Sequence, residues 1–115
     1  GARKSDGSGF ADAVQFMLKD EFGSPLPQSN TTLAVVATNA QFDKEEINKI
    51  AQMAQSGISR SIRPVHTMHD GDIVFALSNS DKSANINVIG EVAAMMVSEA
   101  ILRAVRISNK LGEKD

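Results

Sequence analysis

The run from Ile86 to about Asn109 constrains this chain more than any other segment. It is rich in Ala, Met, Val and Ile, and Arg103, Arg106 and Lys110 near its C-terminal end suit the dipole of a long helix. Its apolar positions, among them Ile89, Val92, Ala93, Met96, Val97, Ala100, Ala104 and Ile107, wrap more than one face. Such a helix needs cover from two sides. The rest of the chain offers little of it. Phe10 to about Phe22 has helical spacing and is stopped by Gly23, and Ser24 to Asn30 is a proline-containing loop. Thr32 to Thr38 is β-rich and nearly all apolar, as in a strand covered on both faces. Asp43 can cap a second helix with Glu46 as its capping-box partner and Phe42 stapling against Ile47; Ile47, Ile50, Ala51, Ala54 and Ile58 form its buried stripe.

Arg63 to Met68 reads as extended, with Pro64 placing it at an edge or strand start. Asp70-Gly71 is a tight-turn signal into a short strand, Ile73 to Leu77, followed by a polar loop from Ser78 to Asn85. The order is α, β, α, β-hairpin, α, an α/β (α+β) chain with a thin core. The expectation is that another chain or a preceding segment completes its sheet.

Composition sets outer limits. The 115 residues suit one domain, and 42% apolar content is ordinary for a folded chain. Twelve Lys and Arg against fourteen Asp and Glu leave a net charge of −2. With no Trp or Tyr either, neither a phosphate-binding surface nor a base-stacking platform is evident, so no nucleic-acid role is expected. The absence of Cys excludes disulfides, thiolate metal sites and cysteine nucleophiles. No stretch reads as an export signal or membrane span, and the expected location is cytoplasmic.

Two constellations can carry chemistry. Asn30-Thr31-Thr32 steps from the polar loop into the first strand. It reads either as an ordinary loop-to-strand junction or as a self-cleavage site. In the second case the Thr31 hydroxyl attacks the Asn30 carbonyl, and water opens the resulting ester. The freed threonine then carries its own base, an α-amine of ordinary pKa about 7.7–8.0. The second constellation is His66-Thr67-Met68-His69-Asp70-Gly71-Asp72. It reads as a plain hairpin turn, as a metal site at His66, His69, Asp70 and Asp72, or as two acids, Asp70 and Asp72, sharing one strand face and relaying protons.

Three blocks taken together, Asn30 through Ala40, Ile62 through Met68, and Asp70-Gly71-Asp72 with Val74-Phe75-Ala76-Leu77, carry a family likeness. The chain resembles the L-aminopeptidase/D-esterase family of self-processing N-terminal-nucleophile hydrolases, which includes β-peptidyl aminopeptidases, a pantetheine amide hydrolase and nylon-oligomer hydrolases. The resemblance spans residues 30 to 107. It implies an αββα sandwich cut from a precursor into a long α chain and a short β chain. Residues 1–30 would be the tail of the α region and 31–115 the β chain, within one structural domain.

By the same resemblance, Thr31 is the catalytic nucleophile, Asn30 precedes the cut, and Asp70 and Asp72 are acidic active-site residues. Asn-Thr at the junction resembles the nylon-oligomer and pantetheine hydrolase branches, and the Asp-Gly-Asp form leans toward the nylon-oligomer branch. Family members keep their oxyanion-hole asparagine and an active-site lysine or tyrosine ahead of the region matched here, so Asn39 and Lys44 do not inherit those roles. The implied partners are the α-chain segment of the same precursor, a small amide or short peptide substrate, and further αβ units in a homo-oligomer. No cofactor is implied. The competing expectations are a non-enzymatic α/β interaction or ligand-binding module and, behind it, the metal hydrolase.

Overall fold

A computed structural model describes residue 4 and residues 6–19, 31–67 and 70–112. Five elements follow in order: α1 (Ala13–Leu18), β1 (Leu33–Ala40), α2 (Lys44–Ser59), β2 (Ile73–Lys82) and α3 (Ile86–Gly112). The mixed α/β character read from the sequence is present. The pairing of strands is not the one expected.

β1 and β2 pair in parallel, from Leu33 opposite Ile73 to Thr38 opposite Ser78, with α2 as the crossover between them. The anticipated hairpin does not form, because its first arm is not a strand. Described residues 62–67 are irregular: His66 takes a left-handed φ of 57°, which no strand accommodates, and Pro64 has no N–H for a ladder. Asp70-Gly71 therefore leads into β2 and does not reverse the chain. β2 also outruns expectation, continuing through the polar stretch to Lys82. Backbone pairing explains this, since Ala40 sits opposite Lys82 and the Gln41 N–H donates to the Lys82 carbonyl at 2.7 Å, while residues 79–82 stay solvent-exposed. The register shifts between Thr38 and Ala40, where the Thr38 hydroxyl accepts the Ala40 N–H at 3.1 Å.

The first helix is shorter than its pattern suggested. Asp12 caps it by accepting from the Val14 and Gln15 N–H groups, so helix begins three residues after Phe10. Residues 20–30, which include Phe22, Gly23 and the proline loop, lie outside the described residues. In α2 both halves of the capping box are present, the Glu46 N–H on Asp43 at 2.8 Å and the Asp43 N–H on Glu46 at 2.9 Å. α3 extends three residues past Asn109.

The core lies between α2, α3 and one sheet face. Ile50, Ala54, Ile58, Ala93 and Val97 are buried, with Ala34, Val36, Val74 and Ala76 packed against them from the sheet. α2 and α3 approach closely because Gly57 and Gly90 stand at their contact. A Cβ on Gly57 would meet the Ala94 carbonyl oxygen and lie 2.8 Å from Val97 Cβ; one on Gly90 would meet the Met53 side chain.

Among the described residues the other sheet face is uncovered. Leu33, Val35, Phe75 and Leu77 each keep more than half of their surface exposed, so the expected cover on both faces of β1 is not supplied by the described residues. α3 shows the same imbalance: its Ala93–Val97 side is buried on α2, whereas Val88, Met95, Met96, Val105 and Ile107 are exposed. Among the described residues no helix is long and apolar enough to cross a membrane.

Candidate active site

Parallel pairing puts the N-terminal ends of both strands on the same edge of the sheet. The residues just ahead of them, Thr31-Thr32 and Asp70-Gly71-Asp72, become neighbours although they are about 40 positions apart. Two hydrogen bonds lock the junction. The Ile73 N–H donates to the Thr32 carbonyl at 3.0 Å, and the Thr32 N–H donates to Asp72 Oδ1 at 2.9 Å in a half-buried setting. A backbone N–H held by a carboxylate is a charge-assisted bond, roughly twice as strong as a neutral one. Asp72 thus ties down the residue next to Thr31.

Thr31 is itself exposed, and its hydroxyl rests on Gly71: Oγ1 lies 3.2 Å from the point where a Cβ on Gly71 would stand. Asp70, the residue before that glycine, is oriented from its own loop. Its Oδ2 accepts from both the Thr67 N–H at 2.9 Å and the Thr67 hydroxyl at 2.7 Å. The Asp70 N–H in turn donates to the Thr67 carbonyl at 3.1 Å.

The structure therefore brings Thr31 together with the Asp-Gly-Asp segment. It revises how the acids are arranged. Both precede Ile73, the first residue of β2, so strand alternation does not aim them, and each is held by a different partner, Thr67 or Thr32. Asn30 and the bond it forms with Thr31 lie outside the described residues, as does His69. His66 is exposed on its left-handed turn, and among the described residues no three His, Asp or Glu side chains gather as a metal site would require.

Two residues of the site escaped sequence reasoning. Thr67 was visible only as part of an extended run, although a hydroxyl three residues before an aspartate is a local hydrogen-bonding signal. Gly71 was read as a turn residue.

Beside the junction an open apolar groove of about 790 Å³ runs between β1 and α3, beginning at Thr32 and lined by Ala34, Val36, Ile89, Met96 and Ile101 among others.

Comparison with known proteins follows the same direction. Residues 4–115 match the model of peptidase family S58. The chain is 37% identical to an uncharacterized aminopeptidase of Mycobacterium leprae, over 71% of this chain and 27% of that protein. It is 28% identical to a 6-aminohexanoate-oligomer endohydrolase of Kocuria sp., over 79% of this chain and 30% of that protein. With a 6-aminohexanoate-oligomer endohydrolase of Paenarthrobacter ureafaciens the identity is 27%, over 77% and 30%. The chain thus spans between a quarter and a third of the length of these curated relatives. The resemblance drawn from its three sequence blocks holds: matched from residue 4 onward, this chain belongs to peptidase family S58.

Proposed function

We propose that this chain carries the nucleophile of a self-processing amide hydrolase, with Thr31 as the reactive residue. In the precursor, Thr31 Oγ1 attacks the Asn30 carbonyl carbon. The C–N bond breaks, the acyl group passes to oxygen, and the nitrogen takes up the hydroxyl proton to become the Thr31 α-amine. Water then hydrolyses the ester, regenerating the hydroxyl and leaving Asn30 with a free carboxylate. In turnover the α-amine accepts the proton of Oγ1 as that oxygen attacks a substrate amide. The proton passes to the departing amine, and a water molecule, activated by the same α-amine, releases the acyl group.

Asp72 anchors the Thr32 N–H and so fixes the start of β1, while Asp70 assists proton transfer at the α-amine. Donors for the oxyanion come from a segment of the whole protein outside this chain. The observation that carries the reading is the meeting of residues 31–32 with residues 70–72 through the parallel register, with the Thr31 hydroxyl lying on Gly71. The names of the relatives point to amino-terminal peptide bonds or 6-aminohexanoate oligomers as substrates.

The partner segment adds to the β1 side of the sheet. The groove between β1 and α3 supports this, being apolar and bordered by a sheet edge that, among the described residues, no other strand occupies. A second layer covers the open face of Leu33, Val35, Phe75 and Leu77, and the exposed apolar side of α3 serves contacts between αβ units.

The test is Thr31→Ala in the whole protein, followed by intact-mass spectrometry. The expected result is a single uncut chain without amidase activity. Cleavage between Asn30 and Ala in that variant would overturn the proposal.

A further inference from the structure

We infer that Gly71 is a positioning residue for the nucleophile: its missing side chain is the seat that lets the Thr31 hydroxyl settle against the backbone of the Asp70-Gly71-Asp72 segment. The inference rests on the reading of Thr31 given above and adds a residue to it.

Three observations single out this glycine. Its φ lies outside the left-handed region, unlike Gly7 at 74° and Gly9 at 145°, so the backbone here accepts any residue. It is exposed, so it is not required by helix or core packing. Among the described residues other than its chain neighbours Asp70 and Asp72, the atoms within 4 Å of a Cβ built on it are Thr31 Oγ1 at 3.2 Å and Thr31 Cγ2 at 4.0 Å. Conformation and packing leave the identity of residue 71 open, and the threonine closes it.

The consequence is geometric. A methyl group at position 71 would crowd the hydroxyl, and relief to an ordinary contact of about 3.5–4.0 Å requires a shift of a few tenths of an ångström. Threonine adjusts poorly, because its branched Cβ leaves χ1 stiff. Moving residue 71 instead carries along the acids on either side of it. Misplacement by about 1 Å costs roughly 100-fold in rate, so a shift of this size is expected to slow the reaction about 10-fold.

The experiment is Gly71→Ala in the whole protein, with Asn30–Thr31 cleavage followed by intact mass over time and the melting temperature measured alongside. Cleavage is expected to slow about 10-fold while the melting temperature stays level or rises, since alanine at an exposed position outside the left-handed region restricts the unfolded chain, which offsets the crowding of one exposed threonine. In a Thr31→Ser background the same substitution should cost less, because serine lacks the γ-methyl and can turn its hydroxyl. Cleavage at the wild-type rate in Gly71→Ala would overturn the inference, as would a lowered melting temperature, which would put the role of the glycine in folding. Thr31→Ala run in parallel separates the two ideas: if it still cuts, the nucleophile assignment fails, and if it alone is inert, only the role of Gly71 fails.

Discussion

Replacing Gly57 by alanine puts two effects of opposite sign into one measurement. Alanine is the better helix former, worth about 0.8–1.0 kcal/mol over glycine inside a helix such as α2. Against that, the new methyl would overlap the Ala94 carbonyl oxygen and stand 2.8 Å from Val97 Cβ and 3.1 Å from the Ser98 nitrogen. Two of these three neighbours are backbone atoms of α3, which cannot rotate aside. Restoring contacts of about 3.5–4.0 Å means parting the helices by roughly 1 Å along the interface that buries Ile50, Ala54, Ile58, Ala93 and Val97. Overpacking of this kind costs about 1–3 kcal/mol, and the immobility of the neighbours puts it at the upper end. The expected net loss is about 1–2 kcal/mol. In urea, with an m-value of about 1–3 kcal/mol per molar, the midpoint should fall by about 0.5–1 M with m unchanged. Gly112→Ala, at the last residue of α3 with nothing within 4 Å of a new methyl, is the control: it adds only helix propensity and should leave the midpoint level or slightly raised. If Gly57→Ala proved as stable as the parent protein, the α2–α3 crossing would not be as close as described.

Asp72→Asn keeps an acceptor for the Thr32 N–H but removes its charge, which should weaken the 2.9 Å bond by about 1 kcal/mol; Asp72→Ala leaves that half-buried N–H unpaired at about 1–3 kcal/mol. Exchange of the Thr32 amide should quicken in that order, and equal protection in both variants would refute the anchoring role. Thr67→Val removes the hydroxyl bond to Asp70 and keeps the backbone one, so self-cleavage should slow several-fold while Thr67→Ser stays near the parent rate. Timed intact-mass spectrometry distinguishes them. Asp43→Ala breaks the capping box of α2 and should lower stability by about 1 kcal/mol in urea unfolding without altering the cleavage rate. Arg60→Ala should cost under about 1 kcal/mol, because the Arg60–Glu91 pair at 3.1 Å is largely open to solvent, and the difference should shrink in high salt.

Elements governed by neighbours in sequence were legible. The start of α2 followed from Asp43 and Glu46, its buried stripe from the spacing of Ile50, Ala54 and Ile58, and the two-faced character of α3 from its composition. Strand direction was not legible, because Asp70-Gly71 has the same composition whether it reverses a chain or begins a parallel strand. What decides between them is the backbone at His66, whose left-handed φ ends any extended run before the dipeptide. The extension of β2 through residues 78–82 was hidden for a related reason. Polar side chains gave it the look of a loop, while pairing depends on backbone groups that every one of those residues has.

The site shows the same division more sharply. Thr31, Asp70 and Asp72 stand out by motif, but a hairpin at Asp70-Gly71 would leave Asp70 at a turn with no reason to lie near Thr31. With α2 as the crossover, the two strands start side by side, and the residues ahead of them are forced together by the ladder itself, through Ile73 on Thr32 and Thr32 on Asp72. Side chains recognisable by their chemistry therefore stand out in the sequence, whereas Gly71 and Thr67, whose contacts depend on the three-dimensional arrangement, do not. The same crossover explains why the chain looks half built. A parallel pair with helices on one face leaves a second face and an outer edge, and in this chain those are Leu33, Val35, Phe75 and Leu77 and the groove along β1. That groove begins at Thr32, one residue from the proposed nucleophile. A segment completing the sheet along β1 would arrive beside Thr31, which on the reading proposed above would couple assembly of the fold to assembly of the site.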